Sequence, residues 1–122
     1  MHTAIHPLIE ARSGERFEII FNVTDSAGDA AVLAGASAEY RIARRAGERA
    51  LVSLTSGSEG GITLAGSAAQ VSIDTNLLSA HGTAMMGDFF GQLRLSIGGQ
   101  TLVVAEGPLC IHPVILSAEE TP

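Results

Sequence analysis

One stretch of this chain, "GQLRLSIGGQTLVVAEG" at residues 91–107, constrains the fold more than any other. Its apolar residues alternate with other residues on both sides of two adjacent glycines, with Leu93 and Leu95 before them and Leu102 and Val104 after them. A period of two is that of a β-strand with one buried face. A glycine pair supplies the positive φ angles that a two-residue hairpin turn needs. The stretch therefore predicts an antiparallel β-hairpin.

Most of the chain repeats this pattern of short alternating runs that end at turn residues. "FEIIFNVTD" at residues 17–25 places Phe17, Ile19 and Phe21 on one side, and the turn formers of "DSAGD" end the run. Further runs are "ASAEYRIARR", "LVSLTS", "GITL", "AQVSID" and "LCIHPVIL". We expect the last strand to begin after Gly107-Pro108, because proline suits the first position of a strand or an edge. Only "DTNLLSAHG" at residues 74–82 breaks the pattern and predicts one helical turn.

Seven or eight short strands, spaced by roughly eight to twelve residues with almost no helical period, are typical of a sandwich or a small barrel. We therefore predict an all-β fold, a two-sheet antiparallel β-sandwich with one short helical turn. The 122 residues fit a single domain, residues 1–122, without an internal repeat or a linker. The first ten residues and residues 117–122 are expected to be arms.

Composition narrows the possible partners. The formal net charge is −6, and all seven basic residues are arginines. A phosphate backbone needs a basic stripe, so we expect neither nucleic acid nor an anionic membrane as a partner. No window approaches the roughly 20 apolar residues of a membrane span, and the first residues do not resemble a secretion signal, which indicates synthesis in the cytoplasm. The mean hydropathy of +0.30 is explained either by a core rich in Ala, Val, Ile and Leu or by apolar surface that lies against other subunits.

The only cysteine lies two residues before a histidine, which raises the question of a catalytic pair. On a strand, Cys110 and His112 share one face, but they lie about 6.5 to 7 Å apart at roughly 3.3 Å per residue. A nucleophile and its base must approach to about 3 Å, and no adjacent residue supplies an orienting acid. We therefore favour Cys110 as a small, buried hydrophobic residue of the sheet.

No other motif predicts chemistry. His2 and His6 have the spacing of metal ligands on a helix, but Pro7 and its strand-like neighbours argue against a helix and favour a surface pair. The nucleophile elbow, the P-loop and the dinucleotide-binding glycine motif are all absent from the sequence. We predict no catalytic residue, no metal ligand and no cofactor, and hence a protein that is not an enzyme.

Two stretches are candidates for an interface. "RIARRAGER" concentrates arginines around Arg44 and Arg45, either as a solvated hairpin tip or as a contact with an acidic neighbour, which suits the bidentate geometry of arginine. "AHGTAMMGDFF" places Met85 and Met86 in a glycine-bounded loop, where they are either core filler or an adaptable apolar contact. These four side chains are the interface residues that we predict.

The order of the motifs over about residues 10–114 resembles small structural proteins of tailed bacteriophages and prophages. The elements that carry the resemblance are residues 13–16, 25–28, 33–36, 40–45, 60–63, 71–73, 98–99 and 107–113. The chain departs from the pattern at residues 81–89, where it carries additional small residues and methionines.

The resemblance implies an Ig-like β-sandwich similar to the amino-terminal domain of phage baseplate upper proteins. It also implies a virion component in the tail, baseplate, neck or head decoration, whose partners are other virion proteins or further copies of itself. It carries no catalytic residues to this sequence. The alternative is a β-sandwich module that binds carbohydrate or a host receptor, although such modules usually present aromatic platforms and aromatic residues are only 4% of this chain.

Overall fold

The computed structural model describes residues 4–12, 16–25, 27–57, 60–74 and 87–112, and these residues form nine β-strands and no helix. The strands are β1 (Ala4–Ile5), β2 (Ile9–Arg12), β3 (Arg16–Asn22), β4 (Ser37–Ala43), β5 (Val52–Thr55), β6 (Ile62–Ala65), β7 (Ala68–Asp74), β8 (Gly87–Ile97) and β9 (Gln100–His112). The prediction of an all-β fold is confirmed. Apart from its first residue, the predicted helical turn at residues 74–82 lies outside the described residues. Within the described ranges there is no helix of the length and apolarity that a membrane crossing requires.

The strands form two sheets. The larger has the order β1-β9-β8-β4-β5, with β2 also paired to β9, and the smaller has the order β3-β7-β6. β1 and β2 run parallel to β9, whereas the other strand pairs are antiparallel. The arrangement is consistent with the expected β-sandwich, and the parallel margin is a feature that the alternation pattern did not predict.

The core lies between the two sheets. The ring of Phe21 on β3 packs against that of Tyr40 on β4, with 5.8 Å between the ring centroids. Along β8 buried and less buried side chains alternate as the sequence predicts, so that Leu93 and Leu95 are fully buried. The largest fully buried side chains are Tyr40, Ile42, Val71, Ile73, Leu93, Leu95, Leu109 and Ile111.

The predicted hairpin joins β8 to β9. Ile97 pairs with Gln100 across Gly98 and Gly99, whose φ angles of 56° and 84° are the two positive values that a tight hairpin turn requires. The prediction of this hairpin and its turn is confirmed.

The expectation that the last strand begins after Gly107-Pro108 is wrong, because β9 runs without a break from Gln100 to His112. The Glu106 carbonyl accepts a hydrogen bond from the His6 backbone N–H at 3.0 Å. Since alternate residues of a strand direct their peptide groups to the same side, the nitrogen of Pro108 also faces the N-terminal strands. Pro108 lies opposite the gap between these two strands, because β1 ends opposite Glu106 and β2 begins opposite Leu109. The missing N–H therefore costs β9 no hydrogen bond to β8.

We expected the first ten residues to form an arm, but the structure places the described part of this segment against β9. Ile5 pairs with Glu106 and Ile9 with Leu109, so the N-terminal segment has one more residue than β9 has between the two pairs. A bulge at residues 6–8 takes up this residue. The other expected arm, residues 117–122, lies outside the described residues.

Candidate functional site

A row of apolar side chains crosses the outer face of the larger sheet, the face turned away from the smaller sheet. Ala43 on β4 lies opposite Phe90 on β8, and Phe90 lies opposite Pro108 on β9. We call these three residues the apolar row. Pro108 is exposed, Phe90 is half-buried and Ala43 is buried. Large apolar groups on a sheet face are a common feature of protein interfaces.

A groove of about 450 Å³ opens at the β4 end of the apolar row. Its walls include Arg41, Arg45, Glu48, Arg49, Phe90 and Arg94, and we call it the arginine groove. Four of the seven arginines in the chain line it together with a single carboxylate from the described residues, so the groove is positively charged in a protein whose formal net charge is −6.

The turn between β4 and β5 builds one wall of this groove. The Leu51 N–H donates to the Ile42 carbonyl at 2.7 Å, and the Glu48 N–H donates to the Arg45 carbonyl at 3.2 Å. Gly47, with a φ of 82°, takes the left-handed conformation that lets the chain reverse here. The turn therefore carries Arg45 and Arg49 beside the outer face of β4.

The charge of Arg41 is balanced within the sheet. Its Nε donates to Glu39 Oε1 at 2.7 Å, and the second oxygen of Glu39 accepts from Ser53 Oγ at 3.1 Å. The carboxylate is thus held in place from two sides. Arg41 contributes little net charge to the groove.

The other arginines of the groove are less compensated. Arg94 Nε donates to the neutral amide oxygen of Gln92 at 2.9 Å, and Gln92 in turn donates to Glu106 Oε2 at 3.0 Å. The side chains of Arg45 and Arg49 are exposed and have no hydrogen-bond or ion-pair partner among the described residues. The positive charge of the groove is therefore concentrated at Arg45, Arg49 and Arg94.

The structure separates the two predicted interface arginines. Arg45 lines the groove, whereas the guanidinium carbon of Arg44 lies 4.3 Å from the ring centroid of the buried Phe89. This cation–π contact covers the end of the core. Met85 and Met86 lie outside the described residues, and β8 begins directly after them at Gly87.

Sequence reasoning missed Phe90 and Arg94 as parts of this site. The alternation of β8 places both on the face opposite Leu93 and Leu95, a signal that the sequence does contain. That β8 lies beside β4, with Arg94 opposite Glu39, follows only from the strand order.

Cys110 and His112 share one face of β9, as the sequence predicts, and this is the outer face, but they do not form a nucleophile and base pair. His112 Nε2 lies 2.9 Å from Glu10 Oε1 on β2. Partial burial, a hydrogen bond to Asp88 and the negative charges of Asp88 and Glu10 raise the pKa of Cys110 and favour the neutral thiol.

Two expectations about this pair are corrected. We expected no acid beside it, but strand pairing places both Glu10 and Asp88 opposite Cys110. We also expected Cys110 to be buried, whereas it is only partly buried on the outer face of the sheet.

The structure places His6 differently from the surface pair that the sequence predicted for His2 and His6. The ring of His6 turns toward the core, 5.8 Å from the ring centroid of Phe21, and its Nε2 is buried without a partner among the described residues. His2 lies outside the described residues. In the part of the chain that the structure describes, no three His, Cys, Asp or Glu side chains are grouped so that they could hold a metal ion.

No protein-family model matches the sequence, and no curated protein matches it either.

Proposed function

We propose that this chain is a non-enzymatic structural component of a tailed-phage or phage-like particle, and that it acts through protein–protein assembly in the tail, baseplate, neck or head decoration. The observation that carries the proposal is the apolar row beside the arginine groove on one face of the larger sheet. Aromatic residues and arginine are enriched in protein interfaces and supply most of their binding hot spots.

The N-terminal margin of the same sheet adds apolar surface. Ile5 is 80% exposed and Leu8 is 52% exposed. Ile5 pairs with Glu106, whose side chain lies on the outer face, so Ile5 extends that face beyond β9. A contact that covers the outer face would remove these side chains from water, which is favourable.

The link to phage particles rests on the order of sequence motifs over about residues 10–114. An assembly role agrees with it, since a β-sandwich offers faces and end loops to its neighbours and needs no chemistry to do so. The surroundings of Cys110 disfavour its use as an enzymatic nucleophile, because they favour the neutral thiol and because His112 contacts Glu10.

One observation favours the alternative of a carbohydrate- or receptor-binding module. Phe90 presents part of an aromatic ring inside a groove with several arginines, an arrangement that suits an acidic sugar. Binding of the purified chain to acidic glycans on an array, lost in Phe90→Ala, would favour this alternative over assembly.

The proposal is tested by purifying particles from a strain that carries the gene and detecting this chain in them by immunoblot. We expect the chain to co-sediment with the particles at a fixed ratio to their major protein. Pro108→Asp, and Met85→Asp combined with Met86→Asp, are expected to reduce incorporation while the circular dichroism spectrum stays unchanged.

The matched control is Val32→Asp, which places the same charge at an aliphatic residue that is 78% exposed and lies outside the strands. Purified particles that lack the chain would overturn the proposal. Conversion of a small molecule by the purified chain, lost in Cys110→Ser, would replace it with an enzymatic function.

A further inference from the structure

We propose that the arginine groove binds an acidic segment of a partner protein, with at least two carboxylates seated on Arg45, Arg49 and Arg94. This inference rests on the proposed function, because it names the chemistry of the partner that an assembly contact would bring to this face.

Three arginines of the groove lack a carboxylate partner. Arg45 and Arg49 have no carboxylate within ion-pair distance among the described residues, and within the same residues the Arg94 side chain hydrogen-bonds only to a neutral amide. A carboxylate can accept two parallel N–H bonds from one guanidinium, and such charge-assisted pairs are stronger than neutral hydrogen bonds. Three under-compensated arginines therefore form a site that is complementary to closely spaced carboxylates.

Glu39 and Arg41 neutralise each other. Glu39, held by Arg41 and Ser53, lies opposite Arg94 on the neighbouring strand. Arg41 is therefore not available to an added carboxylate, whereas Arg94 is bound only to the amide of Gln92 among the described residues. The acidic ligand is thus expected to lie between Arg94 and the β4–β5 turn, which carries Arg45 and Arg49.

The shape and lining of the groove suit the side chains of a protein segment. Its volume of about 450 Å³ is that of a cleft for a few side chains. Ala43 and Phe90 of the apolar row contribute to its lining, so the methylene groups of a glutamate can pack on them while its carboxylate reaches the rim. A segment of acidic protein chain supplies both kinds of group.

A phosphate polymer fits the same groove less well. Glu48 lines the groove, and Glu106 is hydrogen-bonded to the Gln92 that also binds Arg94. Three arginines within one cleft do not form the extended basic stripe that follows a nucleic-acid backbone. A protein ligand is therefore favoured by the charges around the groove.

The test measures the fluorescence anisotropy of a fluorescein-labelled hexaglutamate peptide titrated with the purified chain. We expect saturable binding that weakens as salt is added, and a loss of affinity of about tenfold or more in Arg45→Ser combined with Arg49→Ser. Arg12→Ser combined with Arg16→Ser removes the same charge from β2 and β3, outside the groove, and is expected to leave the affinity within about twofold. Circular dichroism confirms that both variants fold.

Three results would overturn the inference: no binding by the unmodified chain, an equal loss in the two double variants, or tighter binding of a polyphosphate of equal charge than of the peptide. The outcome is separate from that of the particle experiment, because peptide binding is measured on the isolated chain. Failure of the peptide to bind, with the chain present in particles, removes only the groove inference. Peptide binding by a chain that is absent from particles removes only the phage assignment.

Discussion

Gly91 on β8 lies directly opposite Gly107 on β9, and the Tyr40 hydroxyl and the His6 ring cover the core side of this pair. A Cβ at Gly91 would overlap the Tyr40 hydroxyl, and one at Gly107 would lie 2.6 Å from His6 Nδ1. The two glycines therefore make room in the core for two large side chains with polar ends. Neither Tyr40 Oη nor His6 Nε2 has a hydrogen-bond partner among the described residues. Burial raises the pKa of Tyr40, so its hydroxyl stays protonated.

Gly91→Ala is expected to lower the free energy of unfolding by about 1–3 kcal/mol, because the added methyl group must displace the fully buried Tyr40. Urea denaturation followed by circular dichroism measures the change. Gly57→Ala is the control, since the nearest described atom to a Cβ there is Thr55 Oγ1 at 3.7 Å. Equal effects of the two substitutions would show that Tyr40 does not occupy the space above Gly91.

Tyr40→Phe is expected to raise the free energy of unfolding by about 1 kcal/mol. The substitution keeps the ring and removes a buried hydroxyl that has no partner among the described residues, and an unsatisfied buried group of this kind is destabilising. The same urea titration measures the effect. A decrease of similar size would mean that the hydroxyl makes a hydrogen bond, for example to an ordered water molecule.

Two substitutions of Gly98, in the turn between β8 and β9, are expected to differ in their effect on stability. Gly98 has a φ of 56°, which asparagine tolerates far better than a β-branched residue. We expect Gly98→Val to cost about 1–2 kcal/mol more stability than Gly98→Asn. Thermal denaturation of the two variants compares them directly, and equal melting temperatures would contradict the turn conformation.

Cys110 is expected to react slowly with iodoacetamide at pH 8, because its raised pKa lowers the fraction of thiolate. Asp88→Asn removes a carboxylate that favours the protonated thiol, so the pKa should fall toward its ordinary value and the alkylation rate should rise a few-fold. Glu18→Gln, on β3 of the smaller sheet, is the control and should leave the rate unchanged. A rate that does not respond to Asp88→Asn would exclude the contact with this carboxylate.

Arg44 and Arg45 are expected to differ in their contribution to stability. Arg44→Ala removes the cation–π contact with Phe89 and should lower the free energy of unfolding by about 0.5–1 kcal/mol. Arg45→Ala removes an exposed side chain without a partner among the described residues and should change it by less than about 0.5 kcal/mol. Chemical denaturation of the two variants makes the comparison, and a larger loss for Arg45→Ala would contradict the orientations of both side chains.

The parts of the fold that the sequence predicted are local. The β8–β9 hairpin follows from alternation around Gly98 and Gly99, because a tight turn fixes the register of both strands without help from the rest of the chain. The alternating burial of β3, β4 and β8 follows in the same way from the two-residue period.

The parts that were missed depend on pairing between distant residues. Glu10 and His112 are 102 positions apart in the chain, and only the parallel pairing of β2 with β9 brings them together. Arg94 joins the arginines of the β4–β5 turn for the same reason, through the pairing of β8 with β4. The periodicity of a sequence shows which face of a strand is buried, but it does not show which strands lie next to each other in a sheet.

The interruption between β1 and β2, opposite Pro108, limits how a foreign strand can add to this margin of the larger sheet. A long, straight edge strand is a template on which a foreign strand can continue the hydrogen-bond ladder, and repeated addition leads to fibrils. Here the outermost strands are only two and four residues long, and a bulge separates them. Addition of a foreign strand at this margin is therefore hindered, even though the side chains of Ile5 and Leu8 are exposed there.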